Sequence, residues 1–355
     1  MSKTVIVHTS AMLGAAVLLI TGCAQAPLTP GPSGQADQFC ARMVTNSGGL
    51  EDRSFNQSSW AGLEKAAGDF GVDVNVIVST SEGDLAPNVE QAVGTGCNLI
   101  LTVGYELAVA TEEQAKANPE TDFAIVDELV PGDNVKPIVF DTAQAAFLAG
   151  YLAAGVSQTG KVATFGGGNQ PPVTLFMDGF VDGVAKYNEV HGTTVQVLGW
   201  SKEAQDGSFT GDFEDINKGK TTSQAFIDQG ADVILPVAGQ VGEGAAAAAL
   251  EAANVSIIWV DNDGYDTLPA EYQSIILTSV LKNTGDAVVE IVKSSIDGTF
   301  DNTPFIGTLE NGGVALAPFH DLASRVSAAL AAEIDQLRSD IIAGSLVVSS
   351  PSSPQ

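Results

Sequence analysis

Short apolar runs alternate with longer amphipathic stretches along almost the whole chain, and this alternation restricts the fold more than any motif does. Strands are predicted at 40–45, 72–78, 98–103, 122–126, 136–140, 161–165, 194–199, 232–237, 256–260 and 275–280. Helices are predicted at 57–70, 87–95, 108–118, 143–157, 173–188, 218–229, 241–253, 283–296 and 321–343. Strand and helix in turn mean βαβ units, whose parallel sheets must be covered on both faces. The layout restarts near residue 160, where "TGKVATFGGGNQPPVTLFMDGFVDGVAKYN" repeats the opening order of strand, glycine-rich loop and helix. Two doubly wound α/β lobes follow, and the 355 residues suffice for both. Ligands in such sheets bind at the carboxyl ends of the strands, so the cleft between the lobes is the expected site.

The first residues belong to a different economy. Lys3 is followed by the apolar stretch "AMLGAAVLLI" and then "TGC", ending at Cys23. The apolar stretch is too short to span a bilayer and reads as a secretory signal over 1–22. Cys23 after Thr21-Gly22 resembles a lipobox cysteine, which becomes the lipidated first residue of a mature protein. Residues 23–38, rich in Pro, Gly and polar side chains, read as a flexible tether, and 346–355 as a flexible tail. The expected location is therefore the outer face of the cell membrane, held by a lipid anchor.

The chain carries 15 basic and 43 acidic side chains, a formal charge of −28. Loss of 1–22 removes one lysine and no acid. Such a surface repels phosphate backbones and anionic headgroups, which argues against nucleic acid as a partner. Cys40 and Cys97 each stand at the head of a predicted parallel strand. If those strands are neighbours, the thiols can bridge in an oxidising exterior; otherwise they are two buried free thiols.

Several catalytic patterns fail on spacing. "GKT" at 219–221 lacks the first glycine of a phosphate-binding loop, because that position is Glu214. "GGG" at 166–168 follows a strand but runs into Asn169, Gln170 and two prolines, which suits a tight turn near a ligand better than a dinucleotide fingerprint. His191 and His320 stand alone, so neither a metal centre nor a serine–histidine pair has material, and no GxSxG elbow occurs. The sequence implies a binding protein without metal or cofactor, not an enzyme.

The loops after the predicted strands hold what remains: "TNSGGLEDRSFNQ", "VDE", "WSKEAQDGSFTGDFEDINKGK", "PVAGQVGEG", "WVDNDGY" and "TSVLKN". With "FLAGYLAAGVSQTGKVATFGGG", these blocks resemble the basic membrane protein family in the family's order, over about 39–320. The family consists of lipid-anchored substrate-binding proteins that deliver nucleosides, purine nucleosides among them, to ABC importers. The resemblance implies a type I periplasmic-binding-protein fold, a monomer, and an ABC permease as partner.

It also implies roles. Two phenylalanines stack on the base; one is Phe55, next to which Asn56 also contacts the ligand, and the other is Phe213, with Phe209 as the alternative. Asp261, Lys282 and the backbone of Gly239 grip the ribose, and Asp263 is a substitute for Asp261. A carboxylate accepts two bonds from a vicinal diol, and the lysine donates to the diol while neutralising the carboxylate. Asp127 faces the base. Asn46 stands where the family commonly has aspartate, and it offers a donor as well as an acceptor, so preference among bases is left open. The expected lobes are 39–140 with 262–303, and 141–261 with 304–345, joined by crossings near 141, 261 and 305. The same fold binding a sugar or an amide is the alternative.

Overall fold

The computed structural model describes residues 38–354. The expected signal peptide, Cys23 and nearly all of the expected tether lie outside the described residues.

The first sheet contains β1 (Cys40–Thr45), β2 (Asp73–Ile77), β3 (Leu99–Val103), β4 (Asp122–Val126) and β5 (Val135–Phe140). Between them run α1 (Phe55–Phe70), α2 (Leu85–Gly94) and α3 (Ala108–Ala117). The chain then enters the second half through α4 (Thr142–Val156), β6 (Lys161–Gly166), α5 (Pro171–His191) and β7 (Gln196–Leu198). A small ribbon of β8 (Trp200–Ser201) and β9 (Asp206–Gly207) precedes α6 (Ile216–Asp228), β10 (Val233–Val237), α7 (Val241–Glu251) and β11 (Ser256–Asp261). The short α8 (Gly264–Thr267), β12 (Ile276–Lys282), α9 (Thr284–Ile296), β13 (Phe305–Gly307), β14 (Val314–Leu316) and α10 (Ala328–Ile342) complete it.

The strands form two six-stranded sheets, ordered β2-β1-β3-β4-β5-β13 and β7-β6-β10-β11-β12-β14. Both are parallel except where β14 runs antiparallel to β12. Side chains alternate across β1, so Met43 joins the core under α1 and α9 while Val44 joins the one under α2 and α3. In the second sheet α4 and α5 cover one face and α6 and α7 the other. The α4 helix is buried nearly all round, as its uniformly apolar sequence demands. Glycines let it approach α5: a Cβ at Gly150 would overlap the Phe180 carbonyl, and one at Gly183 the Phe147 carbonyl.

Most predicted elements match within two or three residues, but the strand pairing corrects the assignment of 262–303 to the first lobe. β12 pairs in register with β11, Val260 opposite Val280, so it belongs to the second sheet. The chain crosses back only after Lys282, into α9, which packs on α1. β13, expected in the second lobe, pairs with β5 in the first sheet, Ile306 opposite Val139. The crossings therefore follow β5, β12 and β13, which lie within the last two strands on one side of each sheet. Neither β13 nor β14 is long enough to show periodicity.

Two further expectations change. The segment 321–343 is interrupted: a 3₁₀ turn, His320–Arg325, ends before Ser327, whose side chain caps α10 by accepting from the Leu330 N–H at 3.1 Å. The tail is packed, not free. Val348 is buried, Ser350 Oγ donates to Asp178 at 2.6 Å, and Lys202 donates to the Ser349 carbonyl at 2.5 Å. Cys40 and Cys97, at the heads of adjacent strands, are joined as a disulfide with Cα atoms 5.0 Å apart.

Candidate functional site

In each sheet the strand order reverses direction between the second and third strands, β1/β3 in one and β6/β10 in the other. Loops leaving a sheet at such a point diverge to opposite faces and open a crevice at the carboxyl ends. The two crevices face each other across a cavity lined from both sheets. Asn46, Phe55 and Glu106 line it from the first sheet, and Gln170, Phe213 and Gly239 from the second.

The stretch after β1 is not a wet loop. Asp52 is 3 % exposed, and its carboxylate accepts from the backbone N–H groups of Ser54, Asn56 and Gln57 at 3.1, 2.7 and 3.1 Å. It thereby caps α1, which begins at Phe55 instead of the expected 57. Burial outweighs these bonds and pushes the Asp52 carboxyl up to about 6. The Asn56 amide donates to Asn46 Oδ1 at 2.8 Å and to Asp52 at 3.1 Å. Asn56 is 1 % exposed; its NH₂ is engaged by Asn46 and Asp52, while its Oδ1 is buried without a hydrogen-bond partner. Its bond occupies Asn46 Oδ1, which also accepts from the Gly48 N–H at 3.2 Å; Asn46 thus presents its NH₂ as a donor.

The charged groups meet at the ends of β4, β11 and β12. Lys282, 3 % exposed, pairs with Asp127 across the cleft, and its ammonium lies 4.5 Å from the centre of the Phe55 ring. Asp261 accepts a hydrogen bond from Ser54 Oγ of the opposite lobe. Burial raises its carboxyl above the usual range, against the pull of Lys282. Asp127 and Asp261 both adopt left-handed backbone, with φ of 73° and 66°. Such strain in non-glycine residues persists where the surroundings over-determine it, commonly at functional sites. Asp263, the substitute for Asp261, faces elsewhere: it caps α8 and pairs with His320 at 2.7 Å.

The two phenylalanines pack differently. Phe213 lines the cavity, whereas Phe209 packs edge-on against Trp200 at 5.9 Å. The "GGG" run serves both rings. A Cβ at Gly166 would strike Phe209 at 2.7 Å, and one at Gly167 would overlap Phe213. Neither glycine has positive φ, so close approach of the rings, not the expected tight turn, explains them. Gly239, with φ 53°, lines the wall behind Phe213.

Sequence reasoning missed Asp52, Glu106 and Gln170. Glu106 follows β3 and Gln170 follows β6, and the two join across the cleft, Gln170 Nε2 donating to Glu106 Oε1 at 2.8 Å. The rule that ligands sit at strand ends already covers both loops; their partnership has no local signal. Among the described residues no His, Cys, Asp and Glu cluster could hold a metal, and no helix is long and apolar enough to cross a membrane.

A cavity between two sheets that are connected only along one edge is the architecture of a two-lobed solute-binding protein, in which a ligand is held between parts able to move about that edge. Residues 40–351 match the model of the ABC transporter substrate-binding protein PnrA-like family. The chain belongs to this Bmp family, and it is a binding protein, not an enzyme. It is 32 % identical to the ABC transporter nucleoside-binding protein BmpA of Lactococcus lactis, over 98 % of this chain and 99 % of the relative. It is 31 % identical to a CD4+ T-cell-stimulating antigen of Listeria monocytogenes, over 87 % and 88 %. Among solved structures, an ABC transporter solute-binding protein from Aeropyrum pernix superposes with a TM-score of 0.79 at 26 % identity, covering 88 % of this chain and 94 % of that one.

Proposed function

We propose that the protein captures nucleosides between its lobes and, held to the outer membrane face through Cys23, hands them to an ABC permease. The observation that carries the reading is the pairing, in one cavity, of Phe55 from one lobe and Phe213 from the other with Asp261 and Lys282 at its side. Two flat rings accept any base face, and each base–aromatic stack contributes about 1–3 kcal/mol. Asp261 and Lys282 supply the acceptor and donor that a ribose diol requires. The relative named as a nucleoside-binding protein supports this choice.

Charge narrows the ligand class. Asp52, Glu106, Asp127 and Asp261 share the wall with the single cation Lys282. A phosphate would enter a field already negative, so the uncharged nucleoside is favoured over the nucleotide. A nucleoside has about 19 heavy atoms, and at roughly −0.3 to −0.5 kcal/mol each the affinity is about −6 to −10 kcal/mol, micromolar or tighter. Calorimetry with adenosine, inosine, guanosine, cytidine and uridine, beside ribose, glucose and AMP, tests this. Binding of at least one nucleoside in preference to the sugars and AMP supports it; binding of a sugar alone, or of AMP in preference to adenosine, overturns it.

A further inference from the structure

From the geometry around Gly104 we infer that Glu106 is a specificity residue, one that reads a hydrogen-bond donor on the edge of the base. The inference rests on the nucleoside reading and deepens it. Gly104 forms the floor of the first crevice between β1 and β3, with φ 129°. A Cβ built there would lie 2.9 Å from Glu106 Oε2 and 3.3 Å from Asn46 Nδ2. These two polar atoms therefore flank the same backbone position at the cavity wall.

Each is left with a single role. Asn46 Oδ1 is occupied by the Asn56 amide and the Gly48 N–H, so Asn46 offers only its NH₂. Glu106 Oε1 is occupied by the Gln170 amide, which leaves Oε2 as an acceptor that cannot donate. Lys282 holds Asp127 and Ser54 holds Asp261, so among these acids Glu106 is the one whose partner is a neutral amide from the opposite lobe. The wall at Gly104 thus pairs one donor with one acceptor. This suits the lactam edge of hypoxanthine, guanine or uracil and the amidine edge of adenine or cytosine, and it disfavours a base edge lacking an N–H. A site built to bond a donor rejects the analogue without it because its own polar group is left unpaired. Gln170 is a positioning residue, since its bond forms only when the two lobes meet.

The experiment uses matched ligands and the full chain. Inosine is compared with purine riboside, which lacks the N1–H, and cytidine with pyrimidin-2-one riboside, which lacks the 4-amino group. For the wild type, at least one parent should bind tenfold or more tightly than its analogue. In Glu106→Leu, one atom shorter and without an acceptor, the ratio should fall to about threefold or less, chiefly through loss of parent affinity; Gln170→Ala should lower it partway. An unchanged ratio in Glu106→Leu overturns the assignment, as does a wild type that binds parent and analogue alike. If the wild type binds none of the four and none of adenosine, guanosine and uridine, the nucleoside reading fails and this one with it; if it binds one of those three but none of the four, this assignment alone fails. Should Glu106→Leu not fold, Glu106→Met, which likewise lacks an acceptor, replaces it: the ratio should fall in the same way, and an unchanged ratio overturns the assignment.

Discussion

Replacing Lys282 by methionine should show how tightly the cleft is balanced. Lys282 is 3 % exposed, and its partner Asp127 has a side chain only 10 % exposed. Two unit charges about 4 Å apart interact by about 4 kcal/mol at an effective dielectric of about 20. Removing one member of a buried pair costs about 3–5 kcal/mol, because the other stays buried without compensation. The same ammonium also opposes the upward shift of the Asp261 carboxyl. Methionine keeps the length of the stem, so little of the loss comes from a cavity. We expect Lys282→Met to be about 3–5 kcal/mol less stable than wild type at pH 7, measured by urea denaturation. In the variant, the Asp261 carboxyl, already raised by burial, would lose the ammonium that holds it down, so its folded-state value would lie further above that of the unfolded chain. Groups of that kind penalise the folded state at high pH and cease to do so as pH falls through the raised values. The deficit should therefore shrink on acidification, and Lys282→Met with Asp127→Asn should recover much of it at pH 7. A variant as stable as wild type at pH 7, or a deficit indifferent to both pH and the second substitution, would refute the electrostatic account.

Other expectations follow from single contacts. Asp261→Ala should weaken nucleoside binding by about 1.5–3 kcal/mol by calorimetry, the scale of a hydrogen bond to a charged group. Phe213→Ala should cost about 1–3 kcal/mol of binding, while Phe209→Ala, which removes a ring packed on Trp200, should lower the melting temperature more than the affinity. Removing the Cys40–Cys97 bridge, whose ends are 57 residues apart, should cost about 2–4 kcal/mol in chemical denaturation; unchanged stability would mean that the bridge constrains little. The Asp52 carboxyl, held up at about 6 against a usual 3.8, should titrate near 6 by carbon NMR. Its folded value lies above its unfolded one, so its contribution to stability improves as pH falls from about 6 to 4. A midpoint near 4 would mean that the three capping N–H groups outweigh burial.

Much of the fold was legible because its signals are local. The apolar runs that became β1, β3 and β10 carry their own boundaries, and the helices announce themselves by period. Cys40 and Cys97 were readable as the heads of strands, and the pairing of β1 with β3 made them neighbours. The glycines at 166–168 were visible but misread: nothing within the run says that Phe209 and Phe213, more than forty residues on, lie against them. That the Asn56 NH₂ holds Asp52 and Asn46 was equally invisible, since nothing beside Asn56 marks those partners.

The sequence alone determined a two-lobed α/β protein with its ligand at the strand ends, since periodicity near 2 and 3.6 residues needs no partner to be read. Its blocks also carried the likeness to the Bmp family, and with it Phe55, Asp127, Asp261 and Lys282. Only the tertiary structure decided that β12 joins the second sheet and β13 the first, because three-residue strands and sheet membership depend on pairing with distant backbone. It alone set Phe213 at the cavity wall and Phe209 against Trp200, buried Asp52, and joined Glu106 to Gln170. The physical reason is separation: Lys282 meets Asp127 across 155 residues and Gln170 meets Glu106 across 64, and contacts at that range are set by the whole fold, not by the residues beside them.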